Sequence, residues 1–169
     1  MPAAGSSEGL RTAGTIDDRG TITIEQQTPA GQPPCPICLA RGTRIATVDG
    51  AVPVEDIRIG MRIWSADEAG GPIVAVVVRV GRVAVGPWHR VVRLVLDDGR
   101  TVRASPDHPL SDGRPLGTVR AGDLVDGATV VQAVQEPYDG RETFDVLPSG
   151  PTGAYWADGV LLGSTLGGS

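Results

Sequence analysis

Several residue types are scarce or absent in this chain of 169 residues, and each gap excludes a class of protein. The two cysteines are too few for a disulfide framework. Together with the two histidines they are just enough to supply the four ligands of one zinc site. Lysine is absent, and the fifteen basic residues are all arginines, scattered through a chain with a net charge of −5. Neither a nucleic acid nor a membrane is therefore expected as a partner.

Long apolar segments are also missing. No run reaches the roughly 18 residues needed to span a bilayer, and the N-terminal sequence MPAAGSSEGLRTAGT has no basic region followed by an apolar stretch. No secretion signal or membrane anchor is visible, so the localisation is unknown, with a cytoplasmic site as the default expectation. The length suits one folded domain, which we expect to be a monomer.

Glycine and proline are abundant, with 24 and 14 copies, and they separate short runs rich in valine and isoleucine. This composition predicts an all-β fold of short strands joined by turns, many of them at Asp-Gly pairs. Residues 1–34 are more polar, carry one alternating run at 20–26 and end in a linker, PAGQPP. The strands are predicted at 42–48, 61–65, 73–80, 90–96, 101–104, 123–125, 129–136 and 154–162.

A weak internal repeat relates two segments that lie 62 positions apart. The sequence VPVEDIRIGMRIW (52–64) aligns with RPLGTVRAGDLVD (114–126), and the apolar and glycine positions coincide, with Gly60 matching Gly122. This register indicates two related halves arranged about a pseudo-two-fold axis.

Four blocks, in order, resemble the Hint module shared by inteins and the C-terminal domains of Hedgehog proteins. The start of that module is similar to CLARGTRIATVDGAVPVEDIRIGMRIW, and its T-x-x-H block is similar to TVRASPDHPL (101–110). The two last blocks of the module resemble TFDV (143–146) and AYWADGVLLGST (154–165). This resemblance implies a horseshoe of short antiparallel strands with internal pseudo-two-fold symmetry.

The resemblance also implies a division of the chain and a chemistry. The Hint domain would cover 38–165, with 1–37 as a flanking segment like an N-extein and 166–169 as a C-terminal tail.

Cys38 would attack the carbonyl of Ile37 and convert that amide into a thioester, because a cysteine can act as a nucleophile on its own preceding peptide bond. His108 would protonate the leaving amine, since an imidazole titrates near neutrality. Ser105 would position the amide or the oxyanion, and Asp145 would tune Cys38.

The last block departs from the intein pattern in a way that changes the expected product. Splicing needs a histidine and an asparagine that cyclises, and Gly163 and Ser164 stand at those positions, just before Thr165. We therefore expect N-terminal cleavage or acyl transfer, with the chain's own flanking polypeptide as substrate and water, a thiol or an amine as acceptor. Neither a cofactor nor a metal is expected.

Two other functions stay open at this stage. The domain could be a catalytically inactive Hint scaffold, or a redox-gated domain in which Cys35 pairs with Cys38. A zinc site is disfavoured, because His89 and His108 lie 19 positions apart instead of forming a close pair. His89 itself is interpreted as a strand-edge residue.

Overall fold

A computed structural model of the chain describes residues 10–16, 22–29 and 38–167. These residues contain strands and two short 3-10 turns but no α-helix, so the predicted all-β class is confirmed. No helical segment among them has the length and apolar character needed to cross a membrane. The strands are β1 (Leu10–Ile16), β2 (Ile22–Pro29), β3 (Leu39–Ala40), β4 (Arg44–Thr47), β5 (Gly50–Pro53), β6 (Arg62–Ala66), β7 (Pro72–Ala84), β8 (Arg90–Leu96), β9 (Thr101–Ala104), β10 (Leu124–Val125), β11 (Ala128–Pro137), β12 (Glu142–Pro148), β13 (Ala154–Ala157) and β14 (Val160–Gly163).

The chain divides into two compact units, Met1–Cys35 and Pro36–Ser169. Within the first unit, β1 and β2 pair as an antiparallel hairpin in which Leu10 lies opposite Pro29. The register shifts after Ala13, which marks a bulge or a similar irregularity. The alternating run predicted at 20–26 overlaps β2.

The second unit is built on one antiparallel sheet of twelve strands. Their order is β10-β11-β8-β9-β3-β12-β7-β6-β13-β4-β5, with β14 added onto β13. The long strand β7 pairs with β6 through its first part and with β12 through its second part, so it joins the two ends of the sheet. The two-residue strand β3 lies between β9 and β12, and this places the residue before it in the middle of the sheet.

Several of the predicted strand assignments need correction, because β1, β3, β5 and β12 were not predicted. Thr143 to Val146 of β12 alternate between polar and apolar types, but all four are buried, so the alternation does not separate a solvent face from a core face. The single strand predicted at 154–162 is a hairpin of β13 and β14. Its turn is Asp158-Gly159, with φ angles of 48° and 79°, a dipeptide typical of two-residue hairpin turns.

The core collects the inward-facing side chains of the sheet into one cluster. Burying a valine, leucine or isoleucine side chain contributes about 1.5–3 kcal/mol, so this cluster supplies most of the favourable free energy of folding. Its members with the lowest exposure include Leu39, Ile45, Ile63, Val77, Leu94, Val102, Leu116, Tyr155, Val160 and Leu162.

The two repeated segments fold in the same way, as their sequences predict. Each has a proline before a single 3-10 turn, two buried apolar residues, and a glycine with a positive φ that donates a backbone hydrogen bond to a neighbouring strand. Gly60 donates to the carbonyl of Val77 at 2.9 Å, and Gly122 donates to that of Val130 at 2.8 Å. The equivalent pairs are Pro53 and Pro115, Val54 and Leu116, Ile57 and Val119, and Gly60 and Gly122.

The repeat predicts matched losses of stability at the two glycines. Gly60 and Gly122 have φ angles of 91° and 94°, and an added Cβ would meet nothing within 4 Å at either position. Replacement by alanine should therefore cost only the left-handed backbone strain, about 1–2 kcal/mol in each case, measured by urea unfolding. The control Gly60→Asn should cost less, because asparagine tolerates this region better. A loss of stability for Gly122→Ala with none for Gly60→Ala would contradict the equivalence of the two repeated segments.

Candidate active site

Cys38 lies directly before β3, in the middle of the sheet. Leu39, the next residue, pairs with Ala104 of β9 on one side and with Phe144 of β12 on the other. The Cys38 carbonyl accepts a hydrogen bond of 2.9 Å from the backbone N–H of Ser105. The thiol is free, and the residue is only 4% exposed. The two flanking strands thus hold the backbone at Cys38 inside the protein.

The hydroxyl of Ser105 contacts both ends of the Cys38 backbone. Its Oγ lies 3.3 Å from the Cys38 amide nitrogen, which donates to it, and 3.1 Å from the Cys38 carbonyl oxygen, to which it donates. The Nε2 atom of His89 is 3.1 Å from the same Oγ. A hydroxyl has one proton and two lone pairs, so Ser105 can donate to the Cys38 carbonyl while it accepts from the amide nitrogen and from a His89 that is protonated at Nε2.

His108 occupies the turn that follows β9 and is completely buried. Its backbone N–H donates to the carbonyl of Ser105 at 3.0 Å, and its carbonyl accepts from Leu116 at 2.9 Å. The Nε2 atom of the ring lies 3.5 Å from the hydroxyl of Tyr155. Burial, reinforced by the charge of Asp145, raises the pKa of Tyr155 well above its ordinary value, so this side chain stays a phenol that can donate.

The thiol of Cys38 is held in its protonated form. Burial raises its pKa to about 11, a hydrogen bond from the Thr143 hydroxyl acts in the opposite direction, and the negative charge of Asp145 adds to the rise. Thr143 Oγ1 is buried and has no nitrogen or oxygen partner among the described residues, which leaves it available to the sulfur. At neutral pH the thiolate is therefore scarce, and attack by Cys38 requires removal of its proton in the same step.

Five hydrogen-bond donors converge on the carboxylate of Asp145, which is only 1% exposed. Oδ1 accepts from the Tyr155 hydroxyl at 2.6 Å and from the Val146 N–H at 2.7 Å. Oδ2 accepts from the N–H of Thr165 at 2.7 Å, from its hydroxyl at 2.6 Å, and from the Ser164 hydroxyl at 3.4 Å. Such a set suits an ionised carboxylate, which accepts hydrogen bonds and donates none.

The end of β14 runs between His108 and Asp145. The N–H of Gly163 donates to the carbonyl of Pro109, the neighbour of His108, at 3.0 Å. The next residue, Ser164, reaches Asp145 through its hydroxyl. The two positions at which the sequence departs from the intein pattern therefore lie inside the candidate site.

The four residues predicted to carry the chemistry lie together in the interior. Cys38, Ser105, His108 and Asp145 are each at most 4% exposed. The roles assigned to them stay predictions. Cys35, the predicted redox partner of Cys38, lies outside the described residues. Within the described part of the chain, no group of three or more histidine, cysteine, aspartate or glutamate side chains is placed to hold a metal ion.

Three polar residues of this site were not predicted from the sequence. Thr143 precedes Asp145 by two positions on β12, so the two share one face of the strand, a signal that the sequence does contain. Tyr155 stands within the last quoted block, but no sequence pattern links it to Asp145. His89 does lie directly before β8, yet its ring reaches Ser105, a contact that the strand-edge interpretation did not include.

The environment of Cys38 predicts slow alkylation. At pH 8, a thiol with a pKa of about 11 has on the order of one hundredth of the thiolate of a thiol at 9.0. With Cys35→Ser leaving one cysteine, iodoacetamide should modify the folded chain at least a hundredfold more slowly than the urea-unfolded chain, measured by mass spectrometry. Thr143→Val should slow the folded reaction further, while Thr143→Ser should not. Equal rates for folded and unfolded chains would contradict this environment.

Comparisons with known proteins identify the family of this chain and its relatives in fold. The model of the Hint domain family matches residues 37–140. The fold is similar to that of a DnaB intein from Synechocystis, with a TM-score of 0.65 and 19% identity over 76% of this chain and 99% of that one. It is also similar to a bacterial intein-like domain from Clostridium thermocellum, with a TM-score of 0.64 and 20% identity over 76% and 98%.

No protein sequence of curated function matches the chain. At these identities the structural matches establish the fold alone, and they confirm the Hint-type fold predicted from the sequence. Because the family model covers more than half of its residues, this chain belongs to the Hint domain family.

Proposed function

We propose that this domain processes its own chain by an N–S acyl shift at the Ile37–Cys38 peptide bond. One observation carries the proposal. The amide nitrogen of Cys38, which is the leaving group of the reaction, lies 3.3 Å from the hydroxyl of Ser105 in the interior, and the free thiol of Cys38 is buried beside it. A cysteine thiol can reach the carbonyl of its own preceding residue through a five-membered ring, so the nucleophile needs no further positioning element.

In the first step, the Cys38 sulfur bonds to the carbonyl carbon of Ile37, and the electron pair of the carbonyl π bond moves to the oxygen. The thiol proton passes in the same step to the carboxylate of Asp145 or to water. Burial and the Asp145 charge both disfavour a free thiolate, so proton removal and attack belong to one step. The hydroxyl of Thr143 stabilises the negative charge that develops on the sulfur.

In the second step, the bond from the carbonyl carbon to the Cys38 nitrogen breaks and the amine takes up a proton. Ser105 holds this nitrogen, and His108, three residues further along the same turn, supplies the proton. General acid catalysis of this kind contributes about 10²–10⁴-fold. The thioester that results is then open to water, a thiol or an amine.

The proposed outcome is N-terminal cleavage or acyl transfer without splicing. The sequence contains no asparagine, so the succinimide that releases the downstream segment in asparagine cyclisation cannot form from these residues. Thr165 offers an internal acceptor, since its hydroxyl is hydrogen-bonded to Asp145. Transfer to Thr165 would leave the flank attached as an oxygen ester.

An inert scaffold is the second candidate, and one observation favours it. Cys38 is 4% exposed and its thiol has a pKa of about 11. An unreactive buried cysteine has the same two properties. Reactivity of the full chain toward added nucleophiles separates the two candidates.

We expect dithiothreitol or hydroxylamine to release residues 1–37 from the full chain, detected by intact-mass spectrometry. Cys38→Ala should abolish release, because no thioester can form. His108→Ala should slow it by tenfold or more, about 1.4 kcal/mol or above in the activation barrier. Hydroxylamine also cleaves oxygen esters, so release by hydroxylamine alone would indicate transfer to Thr165.

The matched control for this experiment is Cys35→Ala, which should release the flank at the rate of the unaltered chain. It also removes the disulfide that could block Cys38. Persistence of the full-length mass in this variant, in strong thiol and in hydroxylamine, would reject self-processing in favour of the scaffold.

A tag fused after Ser169 should stay attached to the domain after the N-terminal reaction. Gly163→His and Ser164→Asn should be needed together before the tag is released, because cyclisation needs the amide and its assisting imidazole. A Cβ at Gly163 would meet Leu110 and Pro109 no closer than 3.4 Å, which is ordinary van der Waals contact, so a side chain can start there without a clash. The single variants are the controls. A ligated product of residues 1–37 and the tag from the unaltered sequence would contradict the proposed outcome.

A further inference from the structure

His89 is the second histidine of this interior, and neither the family resemblance nor the proposed steps assign it a task. Its Nε2 atom lies 3.1 Å from Ser105 Oγ, and that oxygen lies 3.3 Å from the amide nitrogen of Cys38. The three groups form a continuous hydrogen-bonded chain from an imidazole to the nitrogen that leaves in the acyl shift.

The serine in this chain cannot act as an acid alone. A neutral hydroxyl gives up its proton only if another donor replaces it at the same time. In the resting amide the Cys38 N–H donates to Ser105, but when the C–N bond breaks the nitrogen gains a lone pair and must instead accept. Ser105 can turn its proton toward the nitrogen if His89 donates into Oγ, which is the arrangement that the contacts of Ser105 match.

We propose that His89 is a positioning residue of the acyl shift, which delivers a proton to the Cys38 nitrogen through the hydroxyl of Ser105. This inference rests on the proposed self-processing function. As the sulfur–carbon bond forms and the carbon–nitrogen bond breaks, the Nε2 proton of the His89 imidazolium moves to Ser105 Oγ, and the proton of Ser105 moves to the Cys38 nitrogen. The leaving nitrogen gains two protons as it becomes an ammonium group, and the other one comes from His108. The Cys38 thiol proton passes to water or to Asp145, and His89 recovers a proton from solvent.

The surroundings of His89 suit this exchange. Its ring meets Tyr138 edge-on, with centroids 5.9 Å apart, and its backbone is held by hydrogen bonds to Gly86 and Tyr138. Tyr138 and the turn residues Gly86 and Pro87 line an open cleft of about 550 Å³. His89 is only partly buried, whereas His108 is completely buried. His89 is therefore the more accessible of the two histidines to solvent.

Partial burial also favours proton release by His89. It lowers the pKa of the imidazole from its ordinary value, so the imidazolium is a stronger acid than a fully hydrated one.

The test measures thiol-induced release of residues 1–37 from the full chain. His89→Ala should slow release at least tenfold, and added imidazole should restore most of the rate, because imidazolium can replace the missing ring as the proton donor. His108→Ala should show no such rescue. Ser105→Ala should be slow and insensitive to imidazole, and the double variant His89→Ala with Ser105→Ala should be no slower than Ser105→Ala alone.

His89→Gln separates proton delivery from mere support of the serine. The glutamine amide can donate a hydrogen bond to Ser105 but cannot supply a titrating proton, so release should stay slow. Added imidazole should not restore the rate, because the glutamine side chain occupies the space of the ring. Release by His89→Gln or His89→Ala at the rate of the unaltered chain would overturn the relay and leave the self-processing function intact.

A readout that does not depend on release keeps the two proposals distinct. In full-length Cys38→Ala, which cannot react, the ¹⁵N signal of His89 Nε2 should shift when Ser105→Ala removes its hydrogen-bond partner. Unchanged signals would overturn the relay directly. If the unaltered chain shows no release while this shift is seen, the proposed self-processing function is wrong. The hydrogen bond between His89 and Ser105 then has a structural role only.

Discussion

The buried carboxylate of Asp145 connects the middle of the sheet to the end of the last strand. A charge that is removed from water must be matched by donors, and a hydrogen bond to a charged group contributes about 1.5–3 kcal/mol. Asp145 on β12 draws one donor from its own strand, one from Tyr155 on β13, and the remainder from Ser164 and Thr165 after β14. This side chain thus helps to fix the path of the chain beyond β14, together with the hydrogen bonds from the Ser164 N–H to Gly153 and from Arg79 to the carbonyl of Leu166.

The same charge opposes the chemistry proposed for Cys38. Asp145 and burial both keep the thiol protonated, and only the hydroxyl of Thr143 acts in favour of the thiolate. A thiol under these conditions is unreactive as a nucleophile until a proton acceptor and a polarised carbonyl are present together. Slow, single-turnover processing fits such a site better than the activated thiolate of a multiple-turnover enzyme.

The internal repeat explains how the sheet brings the site together. The first repeated segment leads into β6 and the second into β10, and each makes the same turn with the same backbone hydrogen bonds. The strands β8 and β9 therefore come to one side of β3, while β12 and β7 come to the other. Cys38 lies at this junction, where Ser105 and Thr143 approach it from opposite flanking strands.

Much of the fold followed from local patterns in the sequence. Strands with clear alternation, such as β9, were predicted to the residue, and the repeat was found from glycine and apolar positions alone. The strands β3 and β12 were missed, although neighbours on both sides stabilise them. With two residues β3 is too short to show a pattern, and in β12 the polar residues are buried as well as the apolar ones. The hairpin of β13 and β14 was predicted as one strand, although its Asp-Gly turn is a local signal in the sequence.

The sequence by itself determined the all-β class, the repeat and the positions of Cys38, Ser105, His108 and Asp145. Only the tertiary structure decided which polar groups meet them. Contacts such as His89 with Ser105 and Tyr155 with Asp145 join different segments of the chain, so no spacing encodes them. They exist because a buried hydroxyl and a buried carboxylate each require partners, and the paths of the strands determine which side chains are near enough to serve.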